Sequence, residues 1–264
     1  MRGDDMALIL KPLELQAYFD DSGERDQAVG VCVASVDAWS IFETEWQGVL
    51  DRFHVKWFHA VAFENRKLGF ATERESERTP FLNALLDVLV RNITPITGGA
   101  FVCAIAGPEL VEHLRNRGLK GKGKPESKKT PREIWVGRMV ETLSDPYSVC
   151  LGQALKVTLE LAVGGQDTVG IYISDQPNRT ESIEYIRKML HGVPRFTERL
   201  AGFDYGKNLQ PKVILPLQAA DFAAYYLGKK KRNPSNSRAW VADKLQPQFL
   251  TIVPDPGWLT EGWI

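Results

Sequence analysis

The sequence predicts a single α/β domain. Apolar runs of strand length alternate with stripes of three- and four-residue spacing from residue 14 to about residue 230. No composition break divides them and no internal repeat is present, so strands and helices belong to one core. With 264 residues, 44% of them hydrophobic and 25% charged, the chain can bury that core, and disordered and fibrous classes are excluded.

Leu15 to Asp20 alternates apolar and polar side chains as a strand does, and Asp21-Ser22-Gly23 is a turn signal. Ala28 to Val36 is apolar and β-branched, which predicts a hairpin with the first strand. Asp37 is placed to cap a helix whose buried stripe is Trp39, Phe42, Trp46, Val49 and Phe53. A short strand is expected at Lys56 to His59. Thr79-Pro80 then opens a helix, with proline at the first helical position. Ala100 to Ala106 suits a strand covered on both faces.

Thr130-Pro131-Arg132-Glu133 is a capping-box pattern that predicts a helix to about Leu143. Asp145-Pro146 starts the next, to about Ala162. A buried strand at Val169 to Ser174 and a helix from Asn178 to about Leu190 follow. Val213 to Leu215 reads as a last short strand before a helix from Leu217 to about Lys230. Residues 1–232 are therefore expected to form the domain, with 115–129 as an inserted basic loop. Residues 233–264, which carry Trp240, Trp258 and Trp263, form a C-terminal tail expected to pack on it.

Several function classes fall away. No apolar run approaches the roughly 18 residues of a membrane span, and Ala7 to Leu10 is too short for a signal peptide, so a cytoplasmic protein is expected. Cys32, Cys103 and Cys150 make neither a disulfide framework nor a metal spacing, and the four histidines lack zinc spacing. Gly118 to Pro125 falls short of a phosphate-binding P-loop, because Pro125 stands where the Mg²⁺-binding hydroxyl must be. The formal net charge is +0, yet Arg115 to Arg132 holds eight basic residues against Glu126 alone. Lys120, Lys122 and Lys124 in that stretch suit a polyphosphate backbone, which asks for charge without fixed geometry. Lys229 to Arg232 adds four more basic residues.

The informative acids are those in apolar company. Asp221 is the single charged residue from Val213 to Gly228, in a helix whose small and aromatic neighbours predict burial all round. A lone carboxylate there needs a cation or hydrogen bonds to offset its lost hydration. A metal-binding or catalytic Asp221 and a structural Asp221 that caps another element or pairs with an arginine are both compatible with this placement. Gln218, one turn earlier, shares its face and is a candidate substrate contact. Asp175 ends the strand Val169 to Ser174, at the edge where open α/β sheets place ligands, and it could equally cap the next helix. Asp20 ends the first strand. Glu64 is a candidate fourth acid, against a plain surface role, and His59 nearby is either a hydrogen-bonded core residue or a base.

Carboxylates grouped without matching cations repel one another unless divalent ions sit between them. Their oxygens suit Mg²⁺ or Mn²⁺, and two such ions roughly 3.5–4 Å apart can activate water at a phosphodiester. Two strand-end aspartates and one on a C-terminal helix are also the arrangement of ribonuclease-H-like nucleases.

The ordered motifs sharpen this. Tyr18-Phe19-Asp20-Asp21-Ser22-Gly23, a Trp-bearing helix, Phe58-His59-Ala60, Asp145-Pro146-Tyr147 with Cys150, and Gln218-Ala219-Ala220-Asp221 resemble the domain of unknown function 3800 family over roughly residues 14–232. That family's pattern is Tyr-hydrophobic-Asp-Glu-Ser-Gly near the start and Gln-x-Ala-Asp near the end. The resemblance implies a ribonuclease-H-like mixed central sheet flanked by helices, here with a helical insertion and a C-terminal tail. It also implies metal-dependent nuclease chemistry of the kind considered for mobile elements and phage defence. By motif, Asp20 and Asp221 carry over, with Asp175 as the third acid. Asp21 stands where the family has Glu and reaches one methylene less far.

The expectation is thus a Mg²⁺- or Mn²⁺-dependent nuclease using two ions, with Asp20, Asp175 and Asp221 as ligands. Its partner would be nucleic acid (RNA, DNA or a hybrid) and no membrane. The alternatives are a non-catalytic member that binds nucleic acid or protein through the same cleft, and a carboxylate-pair hydrolase of a small molecule.

Overall fold

A computed structural model describes residues 12–23, 27–67, 75–107, 145–175, 177–245 and 249–252, with positions 109 and 112. The chain opens with the expected hairpin. Strand β1 (Glu14–Ser22) pairs antiparallel with β2 (Gln27–Ser35), in a register that sets Asp20 opposite Gly30. β3 (Ala100–Ala106) adds antiparallel to β2, and β4 (Thr168–Ile173) adds parallel to β1. β5 (Leu200–Tyr205) and β6 (Phe249–Ile252) close the two edges, each parallel to its neighbour. The mixed sheet has six strands in the order β5-β4-β1-β2-β3-β6.

Helices cover both faces. On one lie α1 (Val36–Arg52), α2 (Ala60–Glu64), α3 (Glu75–Asn92), α7 (Leu215–Arg232) and α8 (Ala239–Leu245). On the other lie α4 (Pro146–Gly165), α5 (Thr180–His191) and the single turn α6 (Pro194–Thr197). Because strand side chains alternate, Tyr18 packs in the first core and Phe19 in the second. A ladder of rings, Tyr18, Trp39, Phe42 and Trp46, with successive centroids 5.0, 5.1 and 5.0 Å apart, stiffens the first core.

Four local expectations change. Ser35, not Asp37, caps α1, because its Oγ accepts the Ala38 N–H while Asp37 already lies in the first turn. Lys56 to His59 is no strand: the Phe58 N–H and the Ala60 N–H just after it donate to side chains of α7, and His59 caps α2. Helix α3 starts at Glu75, so Pro80 sits inside it, at the cost of one intrahelical bond. Val213 to Leu215 is a turn entering α7, with Val213 70% exposed. The edge strands β5 and β6 are additions to the expected elements. The helix expected at Thr130 to Leu143 and the loop 115–129 lie outside the described residues. Among the described residues no helix is long and apolar enough to cross a membrane.

The sheet positions the site through one close approach. A Cβ on Gly30 would stand 2.5 Å from the Ala224 nitrogen and 2.7 Å from the Ala220 oxygen. Helix α7 therefore rests its backbone on β2, directly across from Asp20 in β1. Gly30→Ala should lift α7 and cost about 1–3 kcal/mol, read as a lower urea midpoint. Gly48→Ala, in the open on α1 with no atom within 4 Å of the new methyl, should instead stabilise by about 1 kcal/mol. An unchanged midpoint for Gly30→Ala would deny that this contact sets the helix position.

Candidate functional site

β1 and β4 run parallel, so their C-terminal ends meet on one edge of the sheet. Beyond β4 the Ser174 N–H donates to the Phe19 carbonyl (3.0 Å), which brings Ser174 beside Asp20. The Ser174 hydroxyl donates to Asp20 Oδ1 at 2.5 Å, and the Asp21 N–H donates to the same oxygen at 2.9 Å. Asp20 is only 8% exposed. Asp175, half-buried, is held by its N–H donating to the Leu209 carbonyl at 2.9 Å.

Asp221 comes from the other direction, on α7, and is 2% exposed. Its Oδ2 accepts the Ala60 N–H at 2.6 Å. One turn earlier Gln218 is fully buried and fully engaged. Its Oε1 accepts from Trp46 Nε1 and from the Phe58 N–H, both at 2.9 Å, and its Nε2 donates to the Pro211 carbonyl at 2.8 Å. Gln218 thus positions the walls of the site from within the core. The segment 57–60 is stitched to α7 by two side chains one helical turn apart.

His59 belongs to the same stitch. Its Nδ1 accepts the Ala62 N–H at 3.2 Å as the N-cap of α2. That bond uses the Nδ1 lone pair, so neutral His59 carries its proton on Nε2. In this tautomer it is a hydrogen-bond donor and not a base.

These elements surround an open cleft of about 300 Å³ whose lining includes Asp20, Ser174, Asp175, Trp57, His59 and Lys212. Burial pushes the Asp20 carboxyl well above the usual carboxylate range, and the charge of Asp221 raises it further, outweighing the Ser174 and Asp21 hydrogen bonds. Burial likewise pushes Asp221 up to about 6, against the opposing pull of His59 and of the Ala60 N–H. Among the described residues neither acid has an arginine or lysine partner, so the arginine-paired reading of Asp221 finds no support there, whereas its bond from the Ala60 N–H at the start of α2 is the contact a capping role calls for. Asp20 Oδ2 and Asp221 Oδ1 take no hydrogen bond from those residues either.

Two expected acids sit elsewhere. Asp21 points to the opposite face, where Gln27 Nε2 donates to it and Arg179 lies nearby. Its pKa is raised to about 6 by burial, against the Arg179 charge. Arg179 also pairs with Asp145 at 2.8 Å and lies 5.2 Å over the Tyr147 ring. Glu64 does not join the cleft residues. It accepts from Tyr226 Oη (2.8 Å) and Arg238 Nε (3.1 Å), with Arg78 Nη2 at 3.5 Å, and so ties α2, α3 and α7 to the segment before α8. Lys120, Lys122 and Lys124 lie outside the described residues. Sequence reading passed over Ser174, Trp57 and Lys212. Ser174 was legible as the neighbour of a strand-end acid, whereas nothing near Lys212 marks it.

Among the described residues no set of three or more His, Cys, Asp or Glu side chains is grouped as a metal cage. No protein-family model matches the chain, and no curated protein matches it.

The raised carboxylates make stability depend on pH with a definite sign. Between about pH 4 and 6 the folded protein holds protons that the unfolded chain has released, so without metal stability falls as pH rises through this range. Asp221→Asn retains an acceptor for the Ala60 N–H and removes the charge. In EDTA its melting temperature should gain on wild type by roughly 3–6 °C between pH 4.5 and 7.5. A constant difference across that range would mean that Asp221 titrates normally.

Proposed function

We propose that the protein is a Mg²⁺- or Mn²⁺-dependent nuclease on a ribonuclease-H-like fold, related to the domain of unknown function 3800 family. The strand order supports the fold: β1, β2 and β3 antiparallel in series, with β4 and β5 parallel on the other side of β1. The observation that carries the function is the pair Asp20 and Asp221. Two buried carboxylates, each raised in pKa and without an arginine or lysine partner among the described residues, interact beside a cleft that Asp20 lines and that has a lysine at its rim.

The donor set fits a hard divalent ion. Mg²⁺ keeps several waters and is often held by one or two carboxylates together with substrate phosphates, so it needs no complete protein cage. Asp20 with Asp221 would hold one ion, and Asp20 with Asp175 a second. Such ions supply an activated water and charge stabilisation for the leaving oxygen. The chain's own residues do the rest. Ser174 orients Asp20, Gln218 and Asp221 fix segment 57–60, and His59 offers its Nε2–H to an anionic oxygen. A second reading, a member that binds nucleic acid or protein without cleaving, is favoured by the lack of a three-residue cage among the described residues.

Magnesium should raise the melting temperature of wild type, since a ligand bound only by the folded state adds about 2.7 kcal/mol at a hundredfold excess over Kd. Asp20→Asn and Asp221→Asn should lose that increment and oligonucleotide cleavage together. A wild type indifferent to Mg²⁺ and Mn²⁺, alongside a strongly destabilised Asp221→Asn, would return both acids to a structural role.

The basic stretch is the proposed electrostatic contact. Replacing Lys120, Lys122 and Lys124 with Ala should weaken oligonucleotide binding. It should also flatten the plot of log affinity against log salt by about 0.7 for each single-strand phosphate that is no longer neutralised. An unchanged slope would make this stretch a solvated connection.

A further inference from the structure

We infer that the cleft accepts one unpaired nucleic-acid strand, stacked on Trp57, and excludes the interior of a duplex; this rests on the nuclease reading above. Three observations converge on it. The first is depth. Asp20, which lines a cleft of about 300 Å³, is 8% exposed, and Asp221, whose charge it feels, is 2% exposed. A duplex carries its phosphates on a convex surface with the partner strand close behind. It cannot press a phosphodiester onto recessed carboxylates, whereas a single strand can turn its backbone inward. Enzymes with recessed sites meet the same constraint by acting on single strands or by extruding a nucleotide.

The second observation is the fixed width. Trp57 and His59 line the cleft from one segment of the chain, and Gln210, Pro211 and Lys212 line it from another. A single buried amide joins them. Gln218 Oε1 accepts from the Phe58 N–H at 2.9 Å, and Gln218 Nε2 donates to the Pro211 carbonyl at 2.8 Å. Trp46 Nε1 donates to the same Oε1 at 2.9 Å, which anchors the amide to α1. Spreading these two segments would break hydrogen bonds of the fully buried Gln218 amide, so the cleft cannot widen cheaply around two strands.

The third is the chemistry of the lining. Trp57 is half-buried, its ring edge-on to His59 at a centroid distance of 5.8 Å. Aromatic walls beside a charged channel are how sequence-tolerant single-strand sites hold bases, which all present a π-face. Lys212 is exposed at the rim, where it can meet a backbone phosphate, and the Gln210 amide can reach base or sugar. A duplex hides its base faces in the stack and gives Trp57 nothing to hold.

The test uses the full-length wild type in Mg²⁺ with one sequence offered as single-stranded RNA, single-stranded DNA and the corresponding duplexes. Cleavage and binding should favour single strands at least tenfold, and the RNA and DNA arms identify which sugar is preferred. Trp57→Ala should weaken single-strand binding by about 5- to 100-fold, the loss of one base–aromatic stack, and Trp57→Phe should restore part of it. The Mg²⁺-dependent melting increment should be the same in both variants as in wild type, which separates stacking from an effect on folding or on metal binding. Duplex handled as well as single strand, or Trp57→Ala without effect on binding, would overturn the inference and leave the nuclease reading standing. No binding or cleavage of any oligonucleotide, while Mg²⁺ still raises the melting temperature, would overturn both.

Discussion

The contact between the backbone of α7 and Gly30 of β2 is the constraint on which the site depends. Gly30 stands opposite Asp20 in the hairpin register, and its missing Cβ lets Ala220 and Ala224 settle against the strand. Asp221, next to Ala220, is thereby delivered to the same depth as Asp20. The alanines of α7 are buried and short, so the helix cannot stand off on larger side chains. Both acids lose hydration there, and the charge of Asp221 raises Asp20 further, which is why both titrate high. Under the proposed function a divalent cation would relieve that conflict.

The second constraint is the stitch between α7 and segment 57–60. Gln218 and Asp221 each accept a backbone N–H of that segment, from Phe58 and Ala60, and the alternate residue His59 faces the cleft. Behind the stitch, Trp46 packs edge-on against Phe58 and Phe222. Buried polar groups with satisfied hydrogen bonds inside an aromatic core leave little freedom for the walls to drift. Rigid positioning of this kind suits a site whose work is to hold charges at fixed spacing, since misplaced groups forfeit most of the effect.

What could be read from the sequence divides along a physical line. Asp221 was legible because a lone charge in a run of sixteen residues must be accounted for. Asp20 and Asp175 were legible because strand ends next to turn signals define an edge. The face shared by Gln218 and Asp221 followed from helical spacing, but the partners of Gln218 lie up to 172 residues away, and no local pattern announces them. Glu64 shows the same limit, with Arg238 174 residues along the chain deciding its role. Lys56 to His59 looked like a strand because its apolar pattern is that of any segment sewn to a core, with side-chain acceptors replacing a neighbouring strand. β5 escaped notice because an edge strand with half of its residues exposed has no continuous apolar run.

Metal at the Asp20–Asp221 pair is the central claim, and anomalous diffraction from crystals soaked in Mn²⁺ tests it most directly. A peak should lie within direct coordination distance of both carboxylates. Each of the two keeps one carboxylate oxygen that takes no hydrogen bond from the described residues. A site without anomalous density at saturating Mn²⁺, with the two carboxylates sharing a proton, would contradict it.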